Sequence, residues 1–327
     1  MYEASYFAFE GKNPLDESLA FSTIYLKNLS GVNVTKGLAE QVSDALEFPL
    51  HHRMQRLGAR RYIEAYSKMP DANQVLLEIA KRDFNRVQCT LQRDLQEVSR
   101  WWVDMELAKK LRFTRDSDGV LFLERVDKSV CSGNTIDDVY DVYGTLDELE
   151  LFTSAVEEET TCCYNKHTPT FEKYIDNAWI SVSGVVFLVH TYFLLNPKIT
   201  KQGLECLENH HGLLHWPSLI FRLSNDLSTS AAEVERKETT NSISCMMRGS
   251  LNISEESARQ YISNLVENSW KKLNKDAASA SPFTKQFVKA AINLAWISQC
   301  IYQYGDGHGA PDTRAKNEIL SVIIDPI

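Results

Sequence analysis

The sequence predicts an all-α protein, because apolar residues recur at helical spacing in several long stretches. The longest stretch has apolar residues about 3.6 positions apart at Leu76, Ile79, Phe84, Val87, Leu91, Leu95, Val98 and Trp102. A second stretch, from Ile180 to Leu195, is apolar nearly all round, which is typical of a buried helix, and Ser183-Gly184 can break it. The segment Ser254-Glu255-Glu256 has the composition of a helix start, and Phe283 to Ile301 predicts another core helix.

A break in the helical pattern divides the chain into two parts. Residues 1–66 have the pattern of short helices separated by polar turns. Ser67 to Asn73, which includes Pro70, has the composition of a linker, and the longest helical stretch follows it. We therefore expect a partial helical domain over residues 1–70 and a larger helical domain over residues 71–327.

The composition predicts a soluble globular protein. Hydrophobic residues make up 43% of the 327, and 35 basic against 44 acidic residues give a net charge of −9, which argues against nucleic acid as a partner. The seven scattered cysteines are typical of free thiols in a reducing compartment. The longest apolar run is too short and too mixed to predict a membrane span, and we expect no transit or secretory peptide in this chain.

A cluster of aspartates predicts a metal site. If residues 135–152 form a helix, Asp137 and Asp141 lie one turn apart on the same face, with Asp138 at its edge. Carboxylates placed so closely repel one another unless a cation lies between them. Hard oxygen ligands of this kind suit Mg²⁺ or Mn²⁺, whose coordination is often completed by substrate phosphates.

A second oxygen-rich segment strengthens this interpretation. Asn225, Thr229 and Glu233 are spaced at i, i+4 and i+8, so a helix would place an amide, a hydroxyl and a carboxylate on one stripe. Arg222 lies on nearly the same stripe and offers a planar guanidinium that suits a phosphate. Either motif alone also fits a solvated helix face, whereas the two together favour a metal and diphosphate site.

With these two motifs the chain resembles the plant class I terpene synthases, in particular the monoterpene, isoprene and ocimene synthases of flowering plants. Asp137-Asp138-x-x-Asp141 matches the aspartate-rich motif of that family, and Asn225, Thr229 and Glu233 match its second metal motif. The resemblance implies a helical bundle preceded by part of a helical N-terminal domain. It also implies three Mg²⁺ ions held between the motifs, a small-molecule prenyl diphosphate as partner, a monomer or weak homodimer, and a plastid location.

The same resemblance assigns residues to the diphosphate and to the pocket. Arg222 and Arg115 would bind diphosphate, although Ser117 stands where the family carries a second arginine. Phe221, Ser183 and Asn241 together resemble the isoprene and acyclic-ocimene branch. Conversion of dimethylallyl diphosphate to isoprene and of geranyl diphosphate to an acyclic monoterpene both remain open.

Segments that the family carries are missing from this sequence. The departures lie near residues 117–134 and 158–170 and in the front of the N-terminal domain. An alternative hypothesis is therefore a truncated, inactive synthase that retains only metal and diphosphate binding.

Overall fold

The protein is described here by a computed structural model that covers residues 1–11, 14–29, 36–104, 154–155, 157–158, 168–195, 198–235, 240–249, 253–305 and 313–327. The described helices are α1 (Tyr2–Ser5), α2 (Pro14–Leu29), α3 (Lys36–Glu47), α4 (Gln55–Ser67), α5 (Gln74–Asp104), α6 (Phe171–Ser181), α7 (Gly184–Leu195), α8 (Lys201–Glu208), α9 (Gly212–Glu235), α10 (Ser242–Gly249), α11 (Glu255–Ala278), α12 (Lys285–Tyr302) and α13 (Thr313–Ile323). A 3₁₀ turn, Leu50–His52, precedes α4. No strand occurs in this part of the chain, and the all-α prediction is confirmed.

The chain divides into two compact units. The first, called the N-terminal unit, comprises Met1–Arg125 and Pro311–Ile327, and the second, called the central unit, comprises Val126–Ala310. Residues 68–73 form the expected non-helical connection between α4 and α5. Because α5 belongs to the same compact unit as the helices before it, compact units and family domains need not coincide, and the domain boundary at residue 70 stays a prediction.

The N-terminal unit is built around α5 and holds the end of the chain. Ile63, Leu77 and Phe84 form its small apolar cluster. The amide of Gln88, a buried side chain, donates to the carbonyls of Ser321, Val322 and Asp325 at 2.9–3.2 Å. The last carbonyls of a helix have no hydrogen-bond partner within the helix. Gln88 of α5 therefore supplies a donor to the carbonyls at the end of α13.

The core of the central unit surrounds α9. Its largest fully buried side chains are Tyr192, Leu213, Leu214, Ile220, Leu223, Ile262, Trp270, Leu273 and Phe287. These residues come from α7, α9, α11 and α12, so α9 has apolar neighbours along most of its length. Close packing of this kind fixes the rotation of α9 about its axis, and with it the direction of each side chain that leaves the core.

The apolar stretch of the central unit forms two helices, whereas the sequence left open whether one continuous helix or a break at Ser183-Gly184 occurs. The helix α6 ends at Ser181, and Ser183 adopts a φ of +68°, which is uncommon for a residue other than glycine. A Cβ at Gly184 would lie 2.5 Å from the Ser218 hydroxyl, so only glycine allows α7 to approach α9 this closely. Taken as one 25-residue stretch, Phe171–Leu195 is the only helical segment in the described part of the chain that is long and apolar enough to cross a membrane, and an 18-residue window within it has a mean hydropathy of 1.8. Its break and its share in the core are also typical of a globular protein.

The helix α11 begins where the sequence predicted. The Ser254 hydroxyl accepts the backbone N–H of Ser257 and so caps the first turn. Ala258, Ile262 and Trp270, which recur along the helix at helical spacing, are buried. Tyr261 has 48% of its surface exposed.

A histidine is enclosed by aromatic rings near the start of α9. The centroid of the His215 ring lies 4.4 Å from that of Trp179 and 4.4 Å from that of Trp216, both edge to face. Burial, with a smaller contribution from Lys272 and His210, lowers the pKa of His215 to about 4, and Asp176 opposes this shift. The imidazole is therefore neutral in the folded protein at neutral pH.

We expect the His215→Gln substitution to make folding less sensitive to acid. An unfolded chain protonates this imidazole as the pH falls through 6.5, whereas the folded protein resists until about pH 4. The contribution of His215 to stability is therefore complete above pH 6.5 and is lost between pH 6.5 and 4. The free energy of unfolding, measured by urea denaturation at about pH 7.5 and about pH 4.5, should fall by ~1–3 kcal/mol less in the variant.

The difference between the two pH values isolates titration from any fixed cost of the substitution. His52 of the N-terminal unit, whose pKa burial lowers to about 3, retains its own acid sensitivity in both proteins. Equal losses of stability in the parent and the variant would contradict the assignment to His215.

Candidate active site

The second predicted metal motif lies on α9. The helix runs from Gly212 to Glu235, so Asn225, Thr229 and Glu233 follow one another along a single side, here called the oxygen stripe. Asn225 is half-buried and Thr229 is buried. The side chain of Glu233 lies outside the described residues, as do Asp137, Asp138 and Asp141 of the first motif. The structure therefore shows part of one motif, and the facing of the two motifs stays a prediction.

The described part of the oxygen stripe fits a hard divalent cation. The Thr229 hydroxyl donates to the backbone carbonyl of Asn225 at 2.9 Å. A hydroxyl that donates its one proton still has lone pairs with which to accept or to ligate. Amide and hydroxyl oxygens one turn apart are ligands that suit Mg²⁺, so the residues present are compatible with the predicted ion.

A buried carboxylate adjoins the stripe. Asp226 is fully buried, and its Oδ2 accepts the Tyr174 hydroxyl at 2.8 Å and the backbone N–H of Ser242 at 2.9 Å. Its Oδ1 forms an ion pair with Nε of Arg222 at 3.1 Å. These four groups, here called the Asp226 network, connect α6, α9 and the start of α10.

Arg222 is held by the same network. Its Nε donates to the Tyr174 hydroxyl at 2.7 Å, and its guanidinium carbon lies 5.4 Å from the centre of the Tyr174 ring. Only 12% of the Arg222 side chain is exposed. The sequence motifs predict a role for Arg222 but not for Asp226 or Tyr174. The spacing of four between Arg222 and Asp226 was a usable signal, whereas nothing in the sequence links Tyr174 to them.

A second arginine fixes α9 from another side. Arg259 of α11 donates from Nη1 to the carbonyl of Leu227 at 2.7 Å and from Nη2 to the Ser230 hydroxyl. Its Nε donates to Glu255 on its own helix at 2.8 Å. Leu227 and Ser230 lie between the members of the oxygen stripe in sequence but occupy other sides of the helix. Arg259 therefore holds α9 without occupying the stripe.

The three predicted pocket residues have distinct environments. Phe221 is buried and its ring stacks on that of Tyr302 with centroids 6.2 Å apart. Ser183 occupies the break between α6 and α7. Asn241 is fully buried, and its Oδ1 accepts the backbone N–H of Ser244 at 2.9 Å, which is the contact of a helix-capping residue. Arg115, the second predicted diphosphate ligand, lies outside the described residues.

Comparison with known proteins identifies the family. The sequence pattern of the terpene synthase family, metal binding domain, matches residues 125–159 and 158–272. A chloroplastic tricyclene synthase of Medicago truncatula is 45% identical over an alignment that includes the whole chain and 68% of that relative. The chain belongs to the terpene synthase family. Both predicted metal motifs fall within the matched stretches, and the resemblance to plant class I terpene synthases is confirmed.

Other terpene synthases agree in sequence and fold. A chloroplastic isoprene synthase of Populus tremuloides is 43% identical, over the whole chain and 67% of the relative. The crystal structure of isoprene synthase from grey poplar (Populus x canescens) in complex with three Mg²⁺ ions and dimethylallyl-S-thiolodiphosphate matches with a TM-score of 0.82 and 42% identity. That match covers the whole chain and 76% of the poplar chain.

The terpene synthase relatives carry positions that this chain lacks. The alignment to the tricyclene synthase runs over 399 positions, whereas the chain has 327 residues. The two stretches that match the metal-binding domain meet at residues 158–159, at the edge of the predicted departure over residues 158–170. The chain is thus a terpene synthase sequence that is shorter than its relatives within the aligned region.

We expect the Arg259→Ala substitution to destabilise the central unit. The substitution leaves the Leu227 carbonyl and the Ser230 hydroxyl without a charged donor, and such hydrogen bonds contribute about 1.5–3 kcal/mol. The free energy of unfolding in urea measures this loss. Glu255→Ala is the matched control, because it removes only the exposed ion pair on α11, which contributes about 0–1 kcal/mol. Equal losses in the two variants would show that Arg259 does not hold α9.

Proposed function

We propose that the chain is a Mg²⁺-dependent carbon–oxygen lyase that ionises a prenyl diphosphate, either dimethylallyl or geranyl diphosphate, and releases isoprene or an acyclic monoterpene. The observation that carries the proposal is the oxygen stripe on α9 with Arg222 beside it, in a chain that belongs to the terpene synthase family. The complex of grey poplar isoprene synthase with three Mg²⁺ ions and a thiolodiphosphate analogue supports the choice of ligand.

In the proposed reaction the bond between the allylic carbon and the diphosphate oxygen breaks, and its electron pair leaves with the diphosphate. Bound Mg²⁺ ions supply the positive charge that stabilises the leaving group. Asp137, Asp141, Asn225, Thr229 and Glu233 hold these ions, with Asp138 in support. The allylic cation then loses a proton from an adjacent carbon, whose C–H electron pair forms the new double bond.

Arginine side chains complete the charge balance at the diphosphate. Arg222, and with it Arg115, donates N–H groups to the departing oxygens, because a guanidinium offers several donors in one plane. Such donors accelerate ionisation when they are already oriented before the charge develops. The contacts of Arg222 within the Asp226 network support this role, since they hold its side chain in one orientation.

The pocket residues support a small substrate or one that is converted without cyclisation. Phe221 fills space at the end of the oxygen stripe through its stacking on Tyr302. Ser183, with its positive φ, turns the backbone out of helical geometry between α6 and α7. Asn241 caps α10 through its amide oxygen, which a lysine could not do, and adds no positive charge to the site.

The site of action and the assembly follow from the relatives by analogy. The tricyclene and isoprene synthases that the chain resembles are named chloroplastic, which supports a plastid location. The partner is the prenyl diphosphate, and the protein acts as a monomer or weak homodimer without nucleic acid or membrane.

We expect the parent protein to bind pyrophosphate in the presence of Mg²⁺, and Asp137→Ala and Glu233→Ala to weaken this binding. Each substitution removes a charged partner of the metals, so the expected loss is ~1–3 kcal/mol in binding free energy. Isothermal titration calorimetry with Mg²⁺ and pyrophosphate measures it. Glu256→Ala, an exposed acidic residue in the first turn of α11, serves as the control and should retain the parent affinity.

Unchanged binding in both motif variants would refute the metal assignment. A parent protein without any binding of pyrophosphate in Mg²⁺ would refute the proposed function itself.

We expect the 327-residue chain to release product slowly and a longer chain to release it faster. The longer chain would carry the aligned residues of the poplar isoprene synthase opposite residues 117–134 and 158–170. Two or three defects in charge stabilisation or pocket closure, at about tenfold for each 1.4 kcal/mol, would separate the two rates by ~10³-fold. Headspace gas chromatography with dimethylallyl and geranyl diphosphate identifies the product and compares the rates.

The outcomes of this assay separate the two hypotheses. Product from the longer chain alone would support the truncated, inactive alternative for the present sequence. Comparable rates from both chains would show that the missing residues are dispensable.

A further inference from the structure

One buried tyrosine forms hydrogen bonds with both Arg222 and Asp226. Tyr174 lies on α6, is 4% exposed, and its hydroxyl is within 2.8 Å of both Nε of Arg222 and Oδ2 of Asp226. A hydroxyl has one proton. Because Arg222 can only donate and ionised Asp226 can only accept, the Tyr174 hydroxyl must accept from the first and donate to the second. The order of donors along this chain of hydrogen bonds is therefore fixed.

The position of Asp226 is fixed from another element. The backbone N–H of Ser242, at the start of α10, donates to Oδ2 of Asp226, and the carboxylate has no exposure to solvent. A backbone donor cannot rotate as a side chain can, so it anchors the carboxylate. The Tyr174 hydroxyl is then located by an acceptor that is itself anchored, and it presents its own lone pair to Arg222.

Two oxygens lie near the Nε group of Arg222. The Tyr174 hydroxyl accepts its proton at 2.7 Å, whereas Oδ1 of Asp226, on the same helix, lies 3.1 Å away as an ion-pair partner. Without the hydroxyl, the Nε proton would be free to turn towards the buried carboxylate. With the hydroxyl in place, the hydrogen bond fixes the direction of Nε–H, and the planarity of the guanidinium then fixes the directions of its terminal N–H groups.

We propose that Tyr174 is a positioning residue for the diphosphate, which acts by setting the plane of the Arg222 guanidinium and limiting its collapse onto Asp226. This inference rests on the proposed function, because it assumes that Arg222 meets the diphosphate. The ring of Tyr174 has a separate packing role beside Ala178 and Cys245. The two roles can be separated, since phenylalanine retains the ring and removes only the hydroxyl.

The first test is the affinity for pyrophosphate in Mg²⁺. Tyr174→Phe should weaken binding about tenfold, the loss expected when one hydrogen bond to a charged group no longer orients the arginine. Tyr192→Phe is the matched control, because it removes the hydroxyl of another buried tyrosine of the central unit, on α7. This control should stay within about twofold of the parent.

A double-substitution cycle distinguishes positioning from a general loss of structure. If Tyr174 acts only through Arg222, Tyr174→Phe should change the affinity little in a protein that already carries Arg222→Ala. A merely structural role of the hydroxyl would weaken binding equally in both backgrounds. Equal losses in the two backgrounds would therefore overturn the proposal.

The second test observes Arg222 directly and needs no ligand. The Nε–H signal of Arg222 in an arginine-labelled ¹⁵N spectrum is assigned by its absence in Arg222→Ala. In the parent this proton should exchange slowly with water, and Tyr174→Phe should shift the signal and speed its exchange, with Tyr192→Phe unchanged. An unaltered Arg222 signal in Tyr174→Phe would overturn the proposal.

The outcomes distinguish a failure of the proposed function from a failure of the positioning role. A parent that does not bind pyrophosphate in Mg²⁺ overturns the proposed function, and with it a role of Tyr174 towards diphosphate. A parent that binds, together with Tyr174→Phe that binds equally well, overturns the positioning role alone. Weaker binding of Tyr174→Phe, together with an altered Arg222 signal and no further effect in the Arg222→Ala background, supports it.

Discussion

The buried carboxylate of Asp226 is the constraint on which the arrangement of the candidate site depends. A charge without solvent exposure is costly unless neighbouring groups compensate it, and here an arginine, a tyrosine hydroxyl and a backbone N–H do so. These partners come from α6, α9 and the start of α10. Compensation of the Asp226 charge therefore requires these three elements to lie next to one another. Buried ion pairs of this kind often add little net stability. We infer that this one is retained because it defines the position of Arg222.

One side of α9 packs in the core, and another side carries the oxygen stripe. Apolar residues such as Ile220 and Leu223 are buried in the core, and Arg259 holds the helix through the carbonyl of Leu227. These contacts determine the rotation of the helix. The orientation of the oxygen stripe is then set by contacts on the other sides of the helix, which agrees with the general finding that functional groups depend on a rigid support for their orientation.

The comparisons place this site in a shortened family member. Relatives align over the whole chain yet carry additional positions within the aligned region, while α9 is an unbroken helix from Gly212 to Glu235. The backbone that carries the second metal motif is therefore helical in this shorter chain. Whether ionisation also proceeds depends on the first motif and on closure of the pocket, which are separate requirements.

The sequence by itself determined the helical fold, the connection after α4 and the family. Each of these depends on residues close together in the chain, through helical periodicity, turn composition or motif spacing, and such patterns are visible without coordinates. Only the tertiary structure packed Gly184 against Ser218 and placed Tyr174 against Asp226, 52 residues away. Contacts of this kind depend on how helices pack, and packing leaves no periodic trace in a single sequence.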